Sequence, residues 1–155
     1  MRALIQRVRH AAVTVDGATV GSIGHGLLVF LGVAPEDDGE IAAYLADRCA
    51  GLRIFEDDAG RMNRSLTDVG GAMLVISQFT LFADATQGRR PYFGNAAPPE
   101  LAERLYEVFQ REAGKLAAVE CGRFGADMRV TLCNDGPVTI LLEAVRNSSG
   151  RVGLR

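Results

Sequence analysis

The chain has 155 residues, 48% of them hydrophobic and 23% charged, and its formal net charge is −2 at pH 7. This composition is typical of one soluble globular domain, and it argues against a protein that wraps a long stretch of nucleic acid. The longest apolar run, 27–33, is too short to span a membrane, and residues 1–9 lack the apolar stretch of a secretion signal. The predicted location is therefore the cytoplasm.

The first half of the chain predicts short strands and one helix. The strands are 3–8, 12–15, 18–23, 27–33, 52–55 and 72–77. The helix begins after a cap at Asp37 or Asp38 and continues through Ala50, where Gly51 ends it.

In the second half, residues 84–99 have no periodicity and predict a long loop, after which a second helix begins at Pro99. Three closing strands are predicted, at 117–122, 128–133 and 138–142. Residues 1–144 are expected to form a single domain, and the polar segment 145–155 is expected to be a mobile C-terminal extension.

The sequence lacks the usual residues of a hydrolase. His10 and His25 are the only histidines, and each lies beside turn residues. There is no nucleophile elbow, zinc motif or phosphate-binding loop, and the three cysteines are too widely spaced for a disulfide framework or a metal site. We expect no metal and no cofactor. If the protein is an enzyme, its catalysis must depend on backbone donors, positioning and the substrate's own groups.

Two segments are not explained by packing. Ser77-Gln78-Phe79-Thr80 places polar side chains at the end of an apolar strand, which an edge strand with one polar face would also explain. Asn134-Asp135-Gly136-Pro137-Val138-Thr139 lies between two predicted strands. Local rules favour a turn with a trans bond there, although Gly-Pro also permits a cis peptide bond.

Together the two segments resemble the signature motifs of the D-aminoacyl-tRNA deacylase family. The resemblance extends to the opening strand 1–8, to 88–91 and to 122–128, and runs to about Ala144. It implies an α+β layered fold in which mostly antiparallel strands form a barrel-like double sheet with two helices packed outside. It also implies hydrolysis of the ester that joins a D-amino acid to tRNA.

The resemblance implies a homodimer with two active sites at the subunit interface. Gly136-Pro137 would be cis and would reach into the partner's pocket, where its backbone carbonyls exclude an L side chain and spare many D side chains. Glycine has no side chain to exclude, so glycyl-tRNA is an expected second substrate. Arg7 would hold the Gly-Pro carbonyls in place, although a surface arginine on the first strand is the alternative.

The remaining residue roles follow from the same resemblance. Ser77, Gln78, Phe79 and Thr80 would line the reacting ester, with the Phe79 and Thr80 N–H groups stabilising the oxyanion and Phe79 packing on the terminal adenosine. The Thr80 hydroxyl is discounted as a nucleophile because no base is expected near it, so the ribose 2′-OH would assist the attack. Met128 would lie near the pocket.

Arg89 and Arg90 are candidates for contacts to the tRNA phosphates, with a solvated loop pair as the alternative. Two other functions stay open at this point. One is an editor of achiral or small L-amino acids with a trans Gly-Pro bond. The other is a non-catalytic nucleic-acid or partner-binding module.

Overall fold

The computed structural model describes all 155 residues, in nine strands, two helices and one short 3₁₀ turn. The strands are β1 (Arg2–Val15), β2 (Ala18–Ile23), β3 (Gly26–Gly32), β4 (Phe55–Glu56), β5 (Met62–Arg64), β6 (Ala72–Ser77), β7 (Ala118–Cys121), β8 (Arg129–Arg146) and β9 (Val152–Leu154). The helices are α1 (Gly39–Gly51) and α2 (Pro99–Ala113), and the 3₁₀ turn is Phe79–Phe82. Neither helix has the length and apolar character that a membrane crossing requires.

Seven strands form one mixed sheet in the order β7-β6-β3-β1-β8-β9, with β2 pairing beside β1. β6 runs parallel to both β3 and β7, whereas the pairs made by β1 and β8 are antiparallel. The predicted α+β class is confirmed. The predicted barrel-like double sheet is wrong, because β7 and β9 do not pair and the sheet stays open. β7 forms one edge of the sheet and β9 the other, so the parallel strands β6 and β7 extend the sheet instead of closing it.

Both helices form where the capping residues predict them. Asp38 accepts hydrogen bonds from the backbone N–H groups of Glu40 and Ile41, each at 3.0 Å, and so caps α1. Pro99 opens α2, where its missing N–H costs nothing. The apolar stripes of the two helices pack on one face of the sheet in a cluster of 24 buried residues. A smaller cluster of seven buried residues occupies the opposite face.

Two predicted pairs of strands are each one continuous strand. The segments predicted at 3–8 and 12–15 are both part of β1, and those at 128–133 and 138–142 are both part of β8. Within β8, Asn134 pairs with Val8 and Thr139 pairs with Gln6, so residues 135–138 bulge out of the ladder opposite a single residue of β1. The turn predicted at Gly136-Pro137 is therefore wrong, because the strand continues in the same direction past the bulge.

The C-terminal segment is also different from the prediction. Instead of a mobile extension, residues 145–155 complete a hairpin in which β9 pairs with the end of β8. The guanidinium of Arg146 binds the carboxylates of Asp38 at 2.6 Å and Glu40 at 2.8 Å. The polar composition was misleading because backbone bonds and ion pairs, rather than apolar burial, fix this segment.

Candidate active site

The segment Ser77–Thr80 follows a central strand and turns sharply away from it. The Gln78 N–H donates to the carbonyl of Leu31 on β3 at 2.8 Å, and the Leu81 N–H donates to the Gln78 carbonyl at 3.2 Å. β6 lies between β3 and β7, so the edge-strand interpretation of the polar side chains is wrong. The sequence polarity instead marks the start of the 3₁₀ turn at one end of the sheet.

Beside this turn is a mostly apolar cavity of about 620 Å³. It lies between the turn, the loop before α2, the first turns of α2 and residues 124–128. Four of the predicted site residues line it, namely Ser77, Gln78, Phe79 and Met128. Thr80 is exposed and does not line it. The Phe79 ring is 57% exposed and meets the ring of Phe93 edge-to-face, with the centroids 5.3 Å apart.

The 3₁₀ turn leaves its first backbone N–H groups available as donors. In a 3₁₀ turn the first N–H groups have no acceptor within the turn. Leu81 is the first residue whose N–H is bonded to the turn, so the N–H groups of Phe79 and Thr80 precede it. Neither of these two groups donates to a side chain. Two adjacent unpaired donors suit a developing negative charge on oxygen.

The Thr80 hydroxyl has no basic hydrogen-bond partner. The hydroxyl is hydrogen-bonded to the side-chain amide of Gln78, which is not basic. The single lysine, Lys115, pairs with Glu112 beyond the far end of α2.

The histidines are also distant from the turn in the same chain. The His25 carbonyl accepts from the Ala72 N–H, at the opposite end of β6 from Ser77. Five residues of strand correspond to roughly 16 Å. His10 lies opposite Cys133, further along β1.

The Gly136–Pro137 peptide bond is cis, as the resemblance implies. Gly136 has φ +127°, a backbone conformation that favours glycine. Asn134 closes the bulge: its side-chain oxygen accepts from the Val138 N–H at 2.9 Å, and its amide nitrogen donates to the Thr139 hydroxyl at 3.0 Å. The bulge is thereby held at both ends by one side chain.

Arg7 lies under this bulge and is only 5% exposed, so it is not a surface arginine. Its Nε donates to the carbonyl of Asp135 at 3.1 Å, and its Nη1 donates to the carbonyl of Ile54 at 2.5 Å. The Asp135 carboxylate lies 3.6 Å from Nε. A Cβ atom added to Gly136 would lie 2.9 Å from Nη2, so the guanidinium and the glycine backbone are in close contact.

In one chain, the bulge and the cavity lie far apart. Gly136 is opposite Arg7, which pairs with Leu27, and Leu27 pairs with Met73, four residues before Ser77. Three strand spacings of about 4.8 Å and four residues at about 3.3 Å put Gly136 roughly 20 Å from Ser77. The structure therefore brings Ser77–Phe79 and Met128 together, and it does not bring Gly136-Pro137 and Arg7 to them.

Arg89 and Arg90 are exposed on the loop between the 3₁₀ turn and α2. The loop is ordered by two backbone hydrogen bonds of 2.8 Å between Asp84 and Tyr92, and by the Ala97 N–H donating to Val33 at 2.9 Å. Neither arginine side chain makes a hydrogen bond or ion pair. Their role in binding tRNA stays a prediction.

Sequence reasoning missed part of the cavity wall. Tyr106 lines the cavity, and its buried hydroxyl donates to the carbonyl of Val75 at 2.8 Å, beside the strand end that carries Ser77. Burial raises the pKa of this phenol well above its ordinary value. Phe93 and Phe124 line the cavity too. Their spacing on α2 and in loops gives no signal that would separate them from ordinary core residues.

The comparisons with known proteins cover most of the chain. The sequence model of the D-Tyr-tRNA(Tyr) deacylase family matches residues 4–143. A D-aminoacyl-tRNA deacylase of Desulfatibacillum aliphaticivorans is 58% identical over 145 residues, 93% of this chain and 99% of that protein. Another from Roseiflexus castenholzii is 59% identical over 145 residues, 93% of this chain and 92% of that protein.

A solved structure titled c-Myc DNA Unwinding Element Binding Protein is 39% identical to this chain, with a TM-score of 0.87. The superposition covers 92% of this chain and 98% of that one, so the two folds are the same over nearly their whole length. The family match and the identities to the two bacterial relatives lead to one conclusion: the chain belongs to the D-Tyr-tRNA(Tyr) deacylase family.

Proposed function

We propose that the protein hydrolyses the ester bond of D-aminoacyl-tRNA and releases free D-amino acid and tRNA. The observation that carries the proposal is the pair of unpaired N–H groups at Phe79 and Thr80, beside an apolar cavity in a chain of this family. A volume of about 620 Å³ is sufficient for a terminal adenosine and the amino acid it carries.

The chemistry needs no protein nucleophile. Water adds to the ester carbonyl carbon, and the Phe79 and Thr80 N–H groups stabilise the negative charge on the carbonyl oxygen. The bond from the carbonyl carbon to the ribose 3′ oxygen then breaks, and that oxygen receives the proton that the water has lost. We assign the relay of this proton to the neighbouring 2′-OH, because the Thr80 hydroxyl is bonded to an amide and not to a base. The cavity lining contains one carboxylate, that of Asp127.

Chiral selection is supplied by a second copy of the chain. The roughly 20 Å between Gly136 and Ser77 prevents a chain from bringing its own Gly-Pro bulge to its own cavity. In a homodimer, the backbone carbonyls of Gly136 and Pro137 from one subunit would face the α-carbon of the amino acid bound in the other. An L side chain would meet this wall and a D side chain would point away from it.

One apolar surface suits the second copy. Leu4 pairs with Phe30 on one side and with Leu141 on the other, so the three residues form a row across β3, β1 and β8. Leu141 is 56% exposed, and the other two are partly exposed. We propose that a second copy of the chain covers this row, because exposed apolar residues are typical of homodimer interfaces. Leu141→Glu should shift the protein from dimer to monomer in analytical ultracentrifugation.

A mechanism that excludes L-amino acids by steric contact with their side chains should not discriminate against glycine. A wall that acts only on the side chain cannot exclude glycine, so glycyl-tRNA should also be hydrolysed. The tRNA contacts are confined to its 3′ end, with Arg89 and Arg90 reaching phosphates, which is compatible with a net charge of −2. The protein would act in the cytoplasm, where charged tRNA is found.

One other function is favoured by a specific observation. The 39% identical structure is titled as a DNA-unwinding-element binding protein, which supports a nucleic-acid-binding module on the same fold. Catalytic release of the amino acid distinguishes a deacylase from a nucleic-acid-binding module. Purified protein, treated to remove metal ions, should release the amino acid from D-Tyr-tRNA catalytically. Binding of the charged tRNA without any release would refute the deacylase and favour the module.

A further inference from the structure

Arg2 contacts the 3₁₀ turn at residues that do not line the cavity. Its Nη1 donates to the carbonyl of Leu81 at 2.8 Å, and its guanidinium lies over the Phe82 ring, 4.5 Å from the centroid. Leu81 and Phe82 directly follow the two residues that present free N–H groups. The last carbonyl groups of a 3₁₀ turn receive no hydrogen bond from within the turn. Arg2 donates a hydrogen bond to one of them and stacks on Phe82, and these two contacts fix the orientation of the turn.

Arg2 is itself held by Glu143, to which its Nε donates at 3.0 Å. Glu143 is held in turn by the last residue of the C-terminal hairpin. Arg155 donates to both Glu143 carboxylate oxygens, from Nε at 3.0 Å and from Nη2 at 2.8 Å, and the Arg155 N–H donates to the Glu143 carbonyl at 2.8 Å. A bidentate ion pair together with a backbone hydrogen bond fixes the position of the carboxylate far better than a single ion pair does.

Electrostatics agree with this arrangement. Burial acts to raise the pKa of Glu143, but the hydrogen bonds from Arg155 and Arg2 outweigh it and hold that pKa below its usual range. The carboxylate is therefore charged and shared between two guanidinium groups, of which one is on the tail and one touches the turn.

We propose that Arg155, Glu143 and Arg2 form a chain of positioning residues through which the C-terminal hairpin fixes the Phe79–Phe82 turn for catalysis. The family match ends at residue 143, so the Arg155 end of this chain lies outside the matched region. The inference rests on the proposed deacylase function for its kinetic consequence, but not for its structural one.

The hairpin supplies matched controls. Arg151 is an exposed arginine of the same segment, and its side chain makes no hydrogen bond or ion pair. Arg146 anchors the hairpin to Asp38 and Glu40, at a place that does not contact the turn. Arg146→Ala measures the effect of loosening the hairpin without removing a contact to the turn. Arg151→Ala measures the effect of removing a positive charge from the hairpin.

Hydrogen–deuterium exchange over residues 78–83 tests the structural step without substrate. Exchange should be faster in Arg2→Ala and Arg155→Ala than in the wild type, and unchanged in Arg151→Ala. Unchanged exchange in Arg155→Ala would overturn the proposal whatever the activity. Faster exchange with a wild type that releases no amino acid would refute the deacylase function and leave the coupling of hairpin to turn established.

Kinetics test the consequence for catalysis. Arg155→Ala should lower kcat by about 3- to 10-fold with little change in KM, because it disturbs the stabilisation of the transition state rather than the binding of substrate. Arg155→Lys should recover part of the loss. The double variant Arg155→Ala, Glu143→Gln should be no slower than Glu143→Gln alone, since both act through Arg2. Additive losses, or a loss in Arg155→Ala no larger than that in Arg151→Ala, would overturn the proposal.

Discussion

Replacing Arg7 by Ala should loosen the Gly-Pro bulge and destabilise the fold. The guanidinium donates to two backbone carbonyls, those of Asp135 and Ile54, and it is almost fully buried. A hydrogen bond from a charged donor contributes about 1.5–3 kcal/mol, so the loss of both should cost about 3 kcal/mol or more in the free energy of unfolding. Arg9 is the matched control, because it binds the same Asp135 side chain at 3.0 Å but is 72% exposed.

Arg9→Ala should cost no more than about 1 kcal/mol, the usual value of an exposed ion pair. Urea unfolding of both variants measures this difference. Hydrolysis of D-Tyr-tRNA and L-Tyr-tRNA measures the functional consequence, since under the proposed mechanism a displaced bulge would no longer exclude L side chains. The D-to-L rate ratio should fall at least tenfold in Arg7→Ala and stay unchanged in Arg9→Ala. Equal stability losses, or an unchanged ratio in Arg7→Ala, would refute the reasoning.

Three further predictions follow from the same structure. Thr80→Ala should keep kcat within about tenfold of the wild type, whereas a terminal 2′-deoxyadenosine should cost about 100-fold or more; complete loss in Thr80→Ala with unchanged binding would show that the hydroxyl is essential. Gly26→Ala should cost about 3 kcal/mol in urea unfolding, because its Cβ would lie 1.9 Å from the Ala72 carbonyl oxygen, while Gly24→Ala, with nothing within 4 Å, should be nearly neutral. Hydrogen bonds from backbone N–H groups lower the pKa values of Asp57 and Asp68, so both stabilise the fold above their ordinary pKa, and the free energy of unfolding should fall as the pH drops below about 4.

The local elements could be predicted because local signals determine them. Asp38 caps α1 and Pro99 opens α2 through contacts with adjacent residues, and the apolar runs at 27–33 and 72–77 correspond to β3 and β6, two internal strands of the sheet. The polar segment after Ile76 leaves the strand and enters a 3₁₀ turn. Its 3₁₀ conformation depends on a backbone bond to Leu31, which sequence patterns do not reveal.

Features that depend on distant partners could not be predicted. The bulge at 135–138 exists because Arg7 fills its base and Asn134 bridges its ends, so a segment that resembles a turn stays within one strand. The hairpin of residues 145–155 is polar, and the two carboxylates that Arg146 binds are more than 100 residues away in the chain. The open sheet follows from crossovers that periodicity does not encode.

The most direct test of the account is the hydrolysis of three substrates by the wild-type protein under one set of conditions. D-Tyr-tRNA and glycyl-tRNA should both be deacylated, and L-Tyr-tRNA should remain intact over the same time. This pattern is expected if a backbone wall rejects L side chains and has nothing to reject in glycine. Hydrolysis of L-Tyr-tRNA at a rate comparable to that of D-Tyr-tRNA would contradict the central claim.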